Sequence, residues 1–150
     1  MNWNAKDVQV YLEEREYIDT IVIPLLPVAF DDSMKRAAEQ GEFTQLLSLH
    51  LERQFKGRML VLPPYTYMEE PANIELDKWE AKAKESGFSH VFFLTSDKRW
   101  KTVSEERKGT IFYVPSIPLE HMDEQYKQSV MEDQLKNLMS DIIRGWQQNE

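Results

Sequence analysis

Four short stretches of the chain hold the hydroxyls, carboxylates and imidazole with which a protein could bind or transform a small molecule. They are Asp31, Asp32 and Ser33; Tyr65, Thr66 and Tyr67; Ser96 and Asp97; and Ser116 with His121. Each follows a short apolar run, and open parallel sheets bind ligands just outside the carboxyl ends of their strands. Were the chain an enzyme, Asp31, Asp32 and Asp97 would be its acid, base or metal-binding carboxylates. Asp and Ser more often cap helices and shape turns, so the same residues also fit a purely structural role. Beside the third stretch lie Lys98, Arg99, Lys101, Arg107 and Lys108 against Glu105 and Glu106, a basic segment in an acidic chain, with Trp100 available for stacking. It fits a mobile cationic loop that closes over an anionic ligand or acidic partner, or else solvated charge that guards an edge strand.

The rest of the sequence mostly excludes chemistry. The 150 residues contain no Cys, which removes disulfides, thiolate nucleophiles and thiolate metal ligation and fits a reducing cytoplasm. Neither glycine-rich phosphate loop occurs, nor H-E-x-x-H, an EF-hand loop or G-x-S-x-G, so no cofactor is expected. His50 and Glu52 sit two apart on a helix and point to different faces. Glu120, His121, Asp123 and Glu124 resemble an acidic helix start that complements the helix dipole, and no metal is expected. A formal net charge of -8 disfavours nucleic acid and anionic membrane. The longest apolar run, Ile21 to Phe30, is broken by Pro24 and Pro27 and falls short of the roughly 20 residues that a spanning helix needs. Residues 1–20 lack the basic start of a signal peptide, so a cytoplasmic chain is expected.

The elements that must position these groups follow from hydrophobic period and punctuation. Asn4 is placed to cap a first helix by accepting from the amide of Asp7, with Trp3 and Val8 as a staple. Thr20 to Val28 has the apolar, β-branched character of a buried strand, which Pro24 and Pro27 should end. Asp31 to Phe55 is helical, expected in two pieces because of Gly41, capped by Asp32 or Ser33 and closed by a left-handed Gly57. Arg58 to Leu62 is a second strand, stopped by Pro63 and Pro64. Asn73 should cap a third helix, with Leu76, Trp79 and Ala83 inward and Phe88 folding back on Ala83 past Gly87. His90 to Thr95 and Thr110 to Val114 are the third and fourth strands. A long amphipathic helix runs from about Glu120 to Trp146.

Strand, helix, strand, helix, strand is the pattern of parallel βαβ units. The expected fold is therefore a single α/β domain over residues 1–150: a three-layer sandwich of about four mostly parallel strands, flanked by helices, with the long amphipathic helix last. Between strands three and four only Trp100 and Val103 suggest a helical turn; without one, strand four would pair antiparallel at an edge. Tyr17 to Val28 (YIDTIVIPLLPV) and Leu62 to Tyr67 (LPPYTY), together with Trp3, give the chain an end-to-end resemblance to the YpiF-like family of uncharacterised small proteins from Bacillota. The resemblance implies a bacterial cytoplasmic protein and carries no catalytic residue with it. A binding or regulatory module ranks above an enzyme, since no catalytic motif accompanies the strand-end polar groups and basic segment. The last helix has more apolar positions than a four-stranded sheet needs, so Met139, Ile143 and Trp146 are available for self-association or a protein partner.

Overall fold

The apolar run after Asp19 becomes β1 (Thr20–Pro27), the hub of one parallel sheet in a computed structural model that describes residues 1–107 and 109–148. Before it comes α1 (Ala5–Glu13), capped as expected by Asn4, whose side chain accepts from the amide of Asp7 at 2.7 Å. After it come α2 (Met34–Gln54), β2 (Met59–Val61), β3 (Tyr65–Tyr67) and α3 (Asn73–Glu85). The chain then forms β4 (His90–Thr95), α4 (Trp100–Glu106), β5 (Ile111–Tyr113) and α5 (Glu124–Gln148). The strand order is β2-β1-β4-β5, with β3 pairing farther along the same side of β1 as β2, and every pairing is parallel. The parallel direction of β5 follows from α4, a real crossover helix in which Trp100 and Val103 pack inward.

Alternation along the strands divides the core into two layers. Val22, Phe92 and Leu94 face α2 and α5, where they meet Phe43, Leu47 and Ile142. Ile21, Ile23 and Phe93 face the other way and meet Tyr11, Leu76 and Trp100 from α1, α3 and α4. The three-layer α/β sandwich with a long last helix is thus the observed architecture.

Pro24 does not end β1; it lies inside it, paired with Leu94. The amide of Thr20 donates to Arg58, the carbonyl of Val22 accepts from Leu62 and the amide of Val28 donates to Tyr67, so the even positions of β1 turn toward β2 and β3. Position 24 therefore faces the gap at Leu62–Pro64 where β2 has stopped and β3 has not begun, and the missing proline N–H deprives no ladder partner. The same gap explains why residues 65–67, expected as a loop, re-enter the sheet: β1 extends far enough to offer Leu25–Pro27 as partners.

Four further expectations are corrected. Gly41 does not split α2: it is buried within the helix on the side facing β1, where a Cβ would meet Leu26 Cγ at 3.4 Å, an ordinary contact. Gly57 has no positive φ; α2 closes earlier, at Phe55. Asn73 is the first residue of α3 rather than its cap and instead donates to Glu106, while Trp79 is exposed. By contrast the end of α3 is as expected, with Gly87 at φ 113° and the amide of Phe88 donating to Ala83 at 3.1 Å.

Candidate functional site

The order of strands reverses between β1 and β4: the chain leaves β1 toward β2 on one side and returns to β4 on the other. Loops that diverge from such a point open a cleft. Here the turn from β1 into α2 and the turn from β4 into α4 border a cavity of about 360 Å³ lined by Asp31, Ser33, Arg36, Gln40, Lys98 and Arg99.

Each wall is built locally. On the first turn, Asp31 Oδ1 accepts from the amide of Ser33 at 2.9 Å and from its hydroxyl at 2.6 Å, while the Asp31 carbonyl accepts from Met34 at 3.0 Å. These bonds start α2, and those from Ser33 hold the Asp31 carboxyl below its ordinary value. Ser33 occupies the cap position but makes no side-chain cap bond. Arg36 follows three residues later, on the turn of α2 that borders the cleft.

On the second turn, Thr95 Oγ1 accepts from the amide of Asp97 at 3.0 Å and turns the chain out of the sheet. Asp97 is buried and fully engaged. Its carboxylate accepts from the Arg99 amide at 3.0 Å, from Arg99 Nη2 at 2.8 Å and from the Tyr67 hydroxyl at 2.7 Å. Trp100 Nε1 in turn donates to the Tyr67 oxygen at 2.7 Å. Burial works to raise the Asp97 pKa, but the bonds from Arg99 and Tyr67 outweigh it and hold the carboxyl below its ordinary value. Burial first, and donation to Asp97 second, push the Tyr67 phenol far above the usual tyrosine range. Asp97 is thus a fixed anion that spends its oxygens on the protein's own donors.

Arg99 is held by Asp97 and lies 3.6 Å from Glu70. Arg36 and Lys98 differ: neither has a carboxylate within ion-pairing distance among the described residues. The Ser33 hydroxyl is spent on Asp31, and Asp31, Glu70 and Asp97 share these walls with Arg99, so Arg36 and Lys98 are the uncommitted cations with which the cavity could hold a small anion.

Residues 9–146 match the model of a family described as "Protein of unknown function (DUF2487)". The chain belongs to this family. It is 38% identical over 148 residues to the uncharacterized protein YpiF of Bacillus subtilis (strain 168), an alignment that covers 97% of this chain and 98% of that relative. No solved structure matches the chain. The family's description assigns no activity, so the functional reading rests on the residues themselves.

Of the residues singled out from sequence, this family member brings Asp31, Ser33, Asp97, Lys98 and Arg99 together around the cleft. Tyr65, Tyr67 and Trp100 line a neighbouring cavity of about 350 Å³, and Met68 and Glu70 border both. Thr66, on the edge strand, faces a third space, a groove of about 810 Å³ between α2 and the sheet edge. Asp32 is exposed, and Ser96 is buried with its hydroxyl unpartnered among the described residues. Ser116 and His121 stand apart because β5 is the far edge of the sheet; His121 is exposed, 3.4 Å from Glu120, which pairs with Lys35.

The basic segment is not a mobile loop. Lys101 lies 4.9 Å from the Tyr113 ring, Arg107 is nearly buried against Asp77 and Glu80, and Lys108 lies outside the described residues. Trp146 is also reassigned, since it is buried and donates to Thr20 Oγ1 at 2.8 Å; Ile143 stays exposed on α5 and Met139 packs partly on the core. Arg36 and Gln40 escaped the sequence reading. The signal was present: the helix after the strand at the switch point must turn its first residues toward the cleft.

Proposed function

We propose that this protein is a bacterial cytoplasmic binding module that recognises a small anionic molecule in the cleft between β1 and β4. The observation that carries the reading is the pair Arg36 and Lys98, two cations lining a cavity at the strand-order reversal with no ion-pair partner among the described residues. The volume, about 360 Å³, lies in the range of small-ligand sites. A cytoplasmic setting accords with the absence of Cys, with no described helix being long and apolar enough to cross a membrane, and with a relative in a bacterium. If the module is instead an enzyme acting on an anionic substrate, Asp31 is the carboxylate to test, because Asp97 is occupied by Arg99 and Tyr67.

Thermal unfolding against a panel of nucleotides, sugar phosphates and small dicarboxylates tests the proposal. An anion at about 100 times its dissociation constant adds about 2.7 kcal/mol and raises the midpoint by roughly 5–10 °C. Arg36→Glu with Lys98→Glu should abolish that rise and leave the unliganded midpoint nearly unchanged. A flat panel, or a hit indifferent to both substitutions, overturns the reading.

A second reading, recognition of a protein partner, is supported by a different observation. The groove of about 810 Å³ is walled by Trp3, Leu26, Leu46, Leu49, Pro63 and Pro64, and Trp3 and Leu49 are exposed in it.

A further inference from the structure

We propose that the aromatic cavity beside the anion cleft binds an organic cation, an alkylammonium group held between ring faces and carboxylates. Its floor is made of Tyr65, Tyr67 and Trp100, and its rim carries Glu69, Glu70 and Glu75. The rings are organised with respect to one another: Tyr65 and Tyr67 stack at 6.2 Å with 16° between their planes, and Trp100 meets Tyr67 edge-on at 5.3 Å. Adjacent positions of a strand face opposite ways, so residues 65 and 67 present both rings to one side of β3. Bonds from Trp100 to Tyr67 and from Tyr67 to Asp97 lock the second ring in place.

An aromatic face carries partial negative charge and attracts a cation without requiring hydrogen-bond donors from it, most strongly where water is excluded. The rim adds full charges. Glu75 is shared with Lys78 at 3.5 Å and Glu70 with Arg99 at 3.6 Å, while Glu69 has no ion pair among the described residues. The field of these groups is felt on the floor: burial, then Glu75 and Glu69, raise the Tyr65 phenol above its ordinary value. Elsewhere in the molecule the same attraction is used internally, with Arg58 3.8 Å from the centre of the Trp146 ring. Arg99 lies 6.0 Å from the centre of the Tyr67 ring, whereas at Tyr65 no internal cation occupies the ring among the described residues, so Tyr65 is the face offered to a ligand. The volume of about 350 Å³ suits a small molecule.

The probe is tetramethylammonium chloride, titrated into the full chain at constant ionic strength with sodium chloride as the balance. Amide and indole resonances are followed, and tert-butanol serves as a neutral probe of similar shape. Saturable shifts at Tyr65, Tyr67, Glu69 to Glu75 and the Trp100 indole are expected with the cation and not with the alcohol. A trimethyllysine-containing peptide in a parallel titration separates a side-chain source of the group from a free small molecule: tighter binding of the peptide assigns the group to a protein, and equal binding assigns it to a small molecule. Tyr65→Leu, which keeps bulk and removes the π face, should weaken binding roughly five- to thirty-fold, and Tyr65→Phe should retain it. Glu69→Gln, at an exposed position, should weaken it too, which keeps the test valid if Tyr65→Leu unfolds. Absence of saturation, equal binding of the alcohol, or Tyr65→Leu binding like wild type overturns the proposal. Since Arg36→Glu lies in the other cavity, it should leave tetramethylammonium binding unchanged.

Discussion

Each end of the sheet holds an aspartate, an arginine and aromatic rings, and the two ends use them differently. At the amino edge Asp19 takes Arg58 Nε at 3.0 Å and Nη2 at 3.3 Å, Thr20 donates to Asp19 at 2.8 Å, and Trp146 donates to Thr20. The Arg58 guanidinium covers the Trp146 ring. Residues from β1, the α2–β2 connection and α5 are thereby joined, and the charged groups of the cluster face one another. At the carboxyl edge Asp97 and Arg99 are two residues apart and line the cleft, and the Tyr67 and Trp100 they organise wall the aromatic cavity beside it. Outside this cluster remain Arg36, Lys98 and Glu69, charges without partners among the described residues. The same residue types act as a fastener at the amino edge, where the charges satisfy one another, and as a frame at the carboxyl edge, where they tie β3 to the turn after β4 and leave neighbouring charges unspent.

The largest expected effect tests the fastener. Trp146→Ala removes a buried indole, its bond to Thr20 and the surface beneath Arg58, and should lower stability by about 3–5 kcal/mol in urea unfolding. Ile143→Ala, on the exposed side of the same helix, should stay within about 0.5 kcal/mol. Equal effects would mean that α5 is not anchored through its tryptophan.

Next comes the frame. Asp97→Asn removes the charge that holds Arg99 and weakens the acceptor for Tyr67, at an expected cost of about 1.5–3 kcal/mol. The pH dependence gives the sign independently. The Asp97 pKa is lowered on folding, so its contribution is fully present above the ordinary aspartate value of about 3.9 and is lost as pH falls below it through the folded value. Asp19 behaves alike, burial being outweighed by Arg58 and Thr20. Acid unfolding should therefore become shallower below about pH 4 in Asp97→Asn and in Asp19→Asn, and additive in the double variant because the two groups sit at opposite ends of the sheet. An unchanged acid limb in both would show that neither aspartate is ionised by its arginine.

What could be read from the sequence follows the range of the interactions. β4 has its expected limits, and the end of α3 at Gly87 and Phe88 was legible because both depend on neighbours within a few residues. Pro24 misled because its tolerance depends on a gap between two other strands, at Leu62–Pro64, and Gly41 because the helix around it is held by burial against β1. The strand ends that border the cleft could be found from the alternation of elements alone. The bond from Tyr67 to Asp97 could not, since it spans 30 residues. Nor could the difference between Arg99 and Lys98, adjacent cations of which one is spent on an aspartate and the other is not.

That adjacent pair supplies the smallest effect and the finest test. Lys98→Ala should leave stability within about 0.5 kcal/mol, because its ammonium meets no carboxylate among the described residues and a surface substitution away from such contacts is nearly neutral. Arg99→Ala removes the partner of a buried carboxylate and should cost about 1.5–3 kcal/mol. If the cleft is a binding site, the order reverses for function: an anion that stabilises the wild type should lose most of its effect in Lys98→Ala, whose cation has no other task. A Lys98→Ala chain that is destabilised as much as Arg99→Ala would place both cations in the frame, and the carboxyl edge would then be a second fastener.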